Sequence, residues 1–114
     1  MDIEGLQLKL RQFARDRDWE QFHHPKNLAM ALAGEAGELL EIYQWLSDDQ
    51  SHAAREASDT VEATRAELAD IVIYAAQFAD VMGIDLEQAV ADKMEENAQR
   101  YPVATSKGSA RKHH

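Results

Sequence analysis

The chain has 114 residues, 45% apolar and 29% charged, with two prolines and five glycines; this fits one globular domain and excludes disordered and collagen-like classes. A formal net charge of −9 argues against general binding to a phosphate backbone, so any bound polyanion needs a local basic site or a metal. The absence of cysteine excludes disulfides, thiolate metal sites and a cysteine nucleophile.

In chain order, the first predicted element is an amphipathic helix from about Asp2 to Arg17, with Ile3, Leu6, Leu10 and Phe13 on one stripe. Its start, Met1-Asp2-Ile3-Glu4, is acidic where a secretory signal is basic. No uninterrupted apolar stretch reaches the roughly 18 residues of a membrane span, so a soluble, cytoplasmic protein is expected. The segment from Asp18 to His24 breaks the helical pattern and carries Trp19, Phe22 and His23, and Pro25 suits the first turn of the next helix.

The second helix, about Pro25 to Leu46, is apolar nearly all round through Leu28, Met30, Leu32, Leu39, Leu40, Ile42, Tyr43 and Trp45, which predicts a central position. Ser47 to His52 reads as a polar loop. A third helix begins between Ser51 and Asp59 and continues to about Met82, with Gly83 as its C-cap. Asp85, with Gln88 three residues later, opens a fourth helix in a capping-box pattern, and that helix stops before Pro102. The fold expected is all-α, a four-helix domain over residues 1–102 followed by a basic, mobile tail over 103–114 whose final His113 and His114 resemble a purification tag. Several faces are too apolar for water, so an oligomer is expected.

Glu35, Glu38 and Glu41 recur every three residues within the most apolar helix, and Glu67 and Asp70 repeat that spacing on the third. Either pair alone reads more readily as a solvated face. On two helices bordered by Leu and Ile, the four carboxylates Glu35, Glu38, Glu67 and Asp70 instead call for a neutralising cation, because unpaired buried carboxylates are costly and repel one another. Glu41 reads as a flanking group or a surface acid. Carboxylate-only ligation favours Mg²⁺ or Mn²⁺, and no His stands where a di-iron bundle would place one. Such an ion keeps positions open for water and phosphate, which suggests phosphate-ester or anhydride cleavage.

Lys93, Asn97 and Arg100 share one face of the fourth helix, with Tyr101 following; they suit phosphate oxygens, or equally the helix C-terminus. Trp19, Phe22, His23 and Trp45 could enclose a flat base, or fill a core or interface. No Gly-rich phosphate loop or nucleophile elbow is present.

Glu35-Ala36-Gly37-Glu38, Glu67-Leu68-Ala69-Asp70 and the run from Lys93 through Asn97 to Arg100-Tyr101 resemble the all-α nucleoside triphosphate pyrophosphatases of the MazG-like group. Within that group, the segments Arg17–His23, Gly34–Glu38, Gln44-Trp45 and Gln99–Val103 resemble the dCTP pyrophosphatase branch. The resemblance implies Mg²⁺-dependent hydrolysis of dCTP and 5-modified dCTP to the monophosphate and pyrophosphate, and a tetramer, a dimer of dimers, with active sites between subunits. It further implies that Glu35, Glu38, Glu67 and Asp70 hold the metal, with Glu38 the candidate general base. Lys93, Asn97, Arg100, Tyr101 and Tyr74 would bind phosphates, while Trp19, Trp45 and His23 would enclose the base. The sequence departs from the vertebrate relatives at Leu10, where they carry a His. Two other readings stay open: a broader pyrophosphatase for non-canonical triphosphates, and a non-catalytic helical adaptor.

Overall fold

The structure, a computed structural model, describes residues 1–110; Arg111, Lys112 and the two terminal histidines lie outside the described residues. Regular structure among these residues is entirely helical, as the periodicity predicts. None of the helices is long and apolar enough to cross a membrane. The chain falls into two compact units, residues 1–83 and the remainder from Ile84.

In the first unit, α1 spans Ile3–Asp16 and starts where the Asp2 side chain accepts a hydrogen bond from the Gly5 N–H. A 3₁₀ turn, Glu20–Phe22, leads into α2, Pro25–Tyr43, which opens with its proline in the first turn. Helix α2 is shorter than its apolar pattern suggests. After Tyr43 the chain tightens into a turn closed by the Leu46 N–H on the Tyr43 carbonyl, which leaves Trp45 beyond the helix and 87% exposed.

The stretch expected as a polar loop folds as α3, Asp48–Ala53, followed by a 3₁₀ turn, Ala54–Glu56. Its origin is a complete capping box: the Ser47 hydroxyl accepts from the Gln50 N–H at 3.2 Å, and the Gln50 side chain accepts from the Ser47 N–H at 2.9 Å. Helix α4, Ser58–Met82, then runs to Gly83, whose φ of +67° closes the helix in the left-handed region.

Helices α2 and α4 form the most extensive pairing, and α1 packs on α4. The Tyr43 and Thr64 hydroxyls meet at 2.6 Å, tying the end of α2 to the start of α4. Gln7 donates to the Ala76 carbonyl at 2.9 Å, and Arg11 grips Asp80 with two hydrogen bonds, so α1 and α4 are held in one register. The Arg11 guanidinium holds the Asp80 carboxyl below the usual carboxylate range, and Asp80 in turn raises Arg11.

The interior is small-residue: the buried apolar side chains among the described residues are Ala14, Leu28, Ala54, Ala76 and Ala79. Helix α2 is therefore not sheathed as a central helix. Leu28 is its one buried residue, whereas Met30 is 63% and Leu40 58% exposed, because α4 covers only part of its circumference. A wide apolar cavity of about 930 Å³ opens beside α4, lined by Leu6, Tyr43, Val61, Leu68 and Val72 among others. These surfaces fit the expected surplus of apolar faces.

In the second unit, α5 spans Leu86–Arg100. Asp85 caps it by accepting from the Gln88 N–H, but the Gln88 side chain turns forward to Asp92 instead of back, so only half of the capping box forms. Within the segment expected to be a mobile tail, Val103–Ser106 forms a single helical turn, α6.

Candidate metal centre

Glu35 and Glu38 lie one turn apart on α2, and Glu67 and Asp70 one turn apart on α4. Because α2 and α4 pack against each other, one oxygen from each of Glu35, Glu38 and Glu67 lies within 4.8 Å of the others. Glu35, Glu67 and Asp70 are half-buried and Glu38 is exposed. Asp70 stands outside the tight trio yet near enough for its charge to act on Glu35. Glu41 is exposed and also outside it.

The electrostatics follow from this crowding. The Glu35 carboxyl is pushed up to about 7, first by a hydrogen bond shared with Glu67, then by desolvation, then by Glu38. The Oε2 atoms of Glu35 and Glu67 are enclosed and receive no donor from elsewhere in the protein. Carboxylate oxygens that converge without cations or N–H donors hold a proton between them or bind a hard cation. The donor set, all oxygen, fits a hard divalent ion rather than zinc or copper. The trio thus passes the test that an acidic surface face would fail, since its oxygens converge and are part-enclosed.

Lys93, Asn97 and Arg100, the residues expected to suit phosphate oxygens, lie on α5, where Glu96, three residues after Lys93 and four before Arg100, braces both cations. Glu96 accepts from both cations, at 3.3 Å from Lys93 Nζ and 2.9 Å from Arg100. Exposed pairs of this kind are weakly held, and phosphate oxygens could displace Glu96. Asn97 lies beside it on the same helix, and Tyr101, half-buried, is its C-cap residue.

The aromatic candidates do not fill the core. Trp19 is 46% exposed and meets Phe13 edge-on, with ring centroids 5.8 Å apart and planes at 67°. Arg17 covers Phe13 at 3.5 Å from the ring centroid. Phe22 and Trp45 are exposed, while Tyr74, one turn after Asp70 on α4, is half-buried. His23 lines a second cavity of about 200 Å³ between α1 and α4, together with Leu10, the position of the departure noted above. Neither tryptophan lines that cavity.

Comparison with known proteins adds an independent line. The chain is 45% identical over 111 residues to dCTP pyrophosphatase 1 of Mus musculus, and 40% identical to that of Homo sapiens, in each case over 97% of this chain. It spans only 65% of the length of these two relatives. Its fold is similar to the crystal structure of a pyrophosphatase from Archaeoglobus fulgidus, with a TM-score of 0.75 and 38% identity over 90% of this chain and 94% of that one. The MazG-like family model matches residues 31–114, which include both acid pairs and the α5 cations. On this match, and on the carboxylate cluster it contains, the chain belongs to the MazG-like family.

Proposed function

We propose that this chain is a Mg²⁺-dependent nucleoside triphosphate pyrophosphohydrolase that converts dCTP and 5-modified dCTP to dCMP and pyrophosphate and so cleans the nucleotide pool. The observation that carries the reading is the convergence of Glu35, Glu38 and Glu67 around a part-enclosed point on α2 and α4. The names of the relatives, dCTP pyrophosphatase 1 and an archaeal pyrophosphatase, support the same reaction.

In this reading Glu35, Glu38, Glu67 and Asp70 hold the cation, with Mn²⁺ an acceptable substitute. When bound, a divalent ion supplies charge neutralisation for the triphosphate and lowers the proton affinity of an attacking water. The chain's residues do the rest. Glu38, the exposed member of the trio, accepts the proton from water attacking the α-phosphorus, and pyrophosphate leaves. Lys93, Asn97 and Arg100 hold phosphate oxygens, the cations giving up Glu96 to do so, with Tyr74 and Tyr101 as further contacts. Trp19 and Trp45 stack on the base, with His23 near it.

The assembly proposed is a homotetramer of four-helix protomers, a dimer of dimers. Support comes from the alanine-rich interior and the exposed Met30, Leu40 and Leu68, which one chain leaves uncovered. A panel of nucleoside triphosphates assayed with Mg²⁺ for pyrophosphate release tests the reaction. Release from dCTP in preference to other triphosphates is expected. Equal release across the panel would favour a broad pyrophosphatase, and no release from any would favour an adaptor.

A further inference from the structure

Helix α1 ends on a left-handed residue that is not a glycine. The Trp19 N–H bonds back to the Ala14 carbonyl at 2.9 Å, and the Asp18 N–H to the Arg15 carbonyl at 3.1 Å. Together these bonds make the Schellman arrangement, which puts the residue after the helix cap in the left-handed region, where glycine is the usual occupant. Here that residue is Asp18, with a φ of +54°, the one non-glycine residue in that region among the described residues.

Glycine would close the helix there without strain, so the backbone alone gives no reason for a side chain. What the aspartate adds is a partner for Gln21. The Gln21 Nε2 atom donates to the Asp18 carbonyl at 3.0 Å and to the Asp18 Oδ2 atom at 3.1 Å. This bridge spans Trp19 and Glu20. The Trp19 main chain is thus tied on both sides: backward to α1 through its own N–H, and forward through the Phe22 N–H, which donates to the Trp19 carbonyl at 2.9 Å.

Fixed this way, Trp19 turns its indole toward Phe13. The Phe13 ring is itself covered by the Arg17 guanidinium at 3.5 Å, and Arg17 also donates to the Phe13 carbonyl at 3.0 Å. The edge-on contact with Phe13 leaves Trp19 half-exposed. An indole this open is held by fewer neighbours than a core side chain, so the turn beneath it decides where it points.

We propose that Asp18 is a positioning residue that holds the Trp19 indole in one orientation, as a preformed wall for the nucleotide base. The inference rests on the pyrophosphohydrolase reading above, in which Trp19 stacks on the base, and adds the residue that sets its place. A wall already in place costs the ligand no ordering. A wandering ring lowers the apparent affinity by the fraction of time it spends in the competent orientation. Substrate and transition state share this benefit, so it acts on KM and not on kcat.

The test compares Asp18→Gly, which keeps the turn and removes the carboxylate, with Asp18→Asn, which keeps an oxygen for Gln21 to donate to. Asp18→Gly should keep a melting temperature near that of wild type, relief of strain offsetting the added freedom of the unfolded chain. Its KM for dCTP should rise about 3- to 10-fold with kcat little changed, as follows when the ring is competent roughly a third to a tenth of the time. Asp18→Asn should show the wild-type KM. A second measurement needs neither metal nor substrate. The heteronuclear ¹H–¹⁵N NOE of the Trp19 indole N–H, identified by the loss of its signal in Trp19→Phe, should fall in Asp18→Gly and in Gln21→Met and hold in Asp18→Asn.

An indole NOE that stays at the wild-type value in Asp18→Gly would overturn the positioning role. So would an unchanged KM in Asp18→Gly where Trp19→Ala raises it; the stacking reading would then stand. A KM that rises only as the melting temperature falls, and that Asp18→Asn does not restore, would also overturn it, as the mark of a purely structural cap. If the NOE falls but neither Asp18→Gly nor Trp19→Ala changes KM, the base reading of Trp19 fails and the proposal falls with it.

Discussion

Mg²⁺ binding should expel a proton from Glu35, and the amount follows from the crowding around it. With its carboxyl pushed up to about 7 by Glu67, desolvation and Glu38, Glu35 is mostly protonated in slightly acidic solution before metal arrives. A cation held by the same oxygens needs the charged form. Uptake of metal should therefore release about 0.9 proton per site at pH 6 and about 0.1 at pH 8, from simple titration around that value. Calorimetric titration of Mg²⁺ in pairs of buffers with different ionisation heats reads this number directly, and Glu35→Gln should abolish the difference between the two pH values. Identical proton release at pH 6 and pH 8 in the wild type would refute the reasoning, because the cation would then be binding elsewhere. The same crowding sets the sign of the stability profile. A carboxyl raised in the folded state favours folding while protonated, so this contribution is complete below the ordinary carboxylate range and is lost as pH rises through about 7. Metal-free protein should accordingly melt at lower temperature at pH 8 than at pH 5.5 by this term, and saturating Mg²⁺ should offset the loss.

Glu38→Ala and Asp70→Ala should each keep the helical circular dichroism and lose turnover by several orders of magnitude; full activity in either would remove that residue from the metal set. Trp19→Ala should raise KM for dCTP on the order of 10- to 100-fold while kcat changes little, since stacking supports substrate and transition state alike. An unchanged KM would assign Trp19 to its packing against Phe13. Ser47→Ala should destabilise the protein by about 1 kcal/mol in denaturant titrations, from loss of the cap on α3. No measurable change would mean that α3 forms independently of its box.

The acid pairs were legible because a helix with strong apolar periodicity turns a spacing of three into a shared face, and two such helices in one small domain have few ways to avoid each other. The helical class was legible for the same reason. Less visible was α3: Ser47-Asp48-Asp49-Gln50 carries a capping box, but with no apolar stripe behind it the segment read as a loop. Trp45 sits past the end of α2 because the chain tightens after Tyr43, which an unbroken apolar pattern concealed. The place of Glu96 between two cations was open to spacing alone, three residues after Lys93 and four before Arg100 on one helix. Gln7 with Ala76 and Arg11 with Asp80 are each 69 residues apart, and no local signal links them.

The enclosed methyl groups of Ala14 on α1 and Ala76 on α4 have a bearing on how such a protein can change its tastes. Side chains this short let the two rods lie close enough for a glutamine on one to reach the main chain of the other. Interhelical separation, and with it the width of the crevice they border, is consequently set by a few carbon atoms. Adding one or two methylenes at these positions would prise the rods apart, so the aperture is adjustable without touching the groups that perform the chemistry.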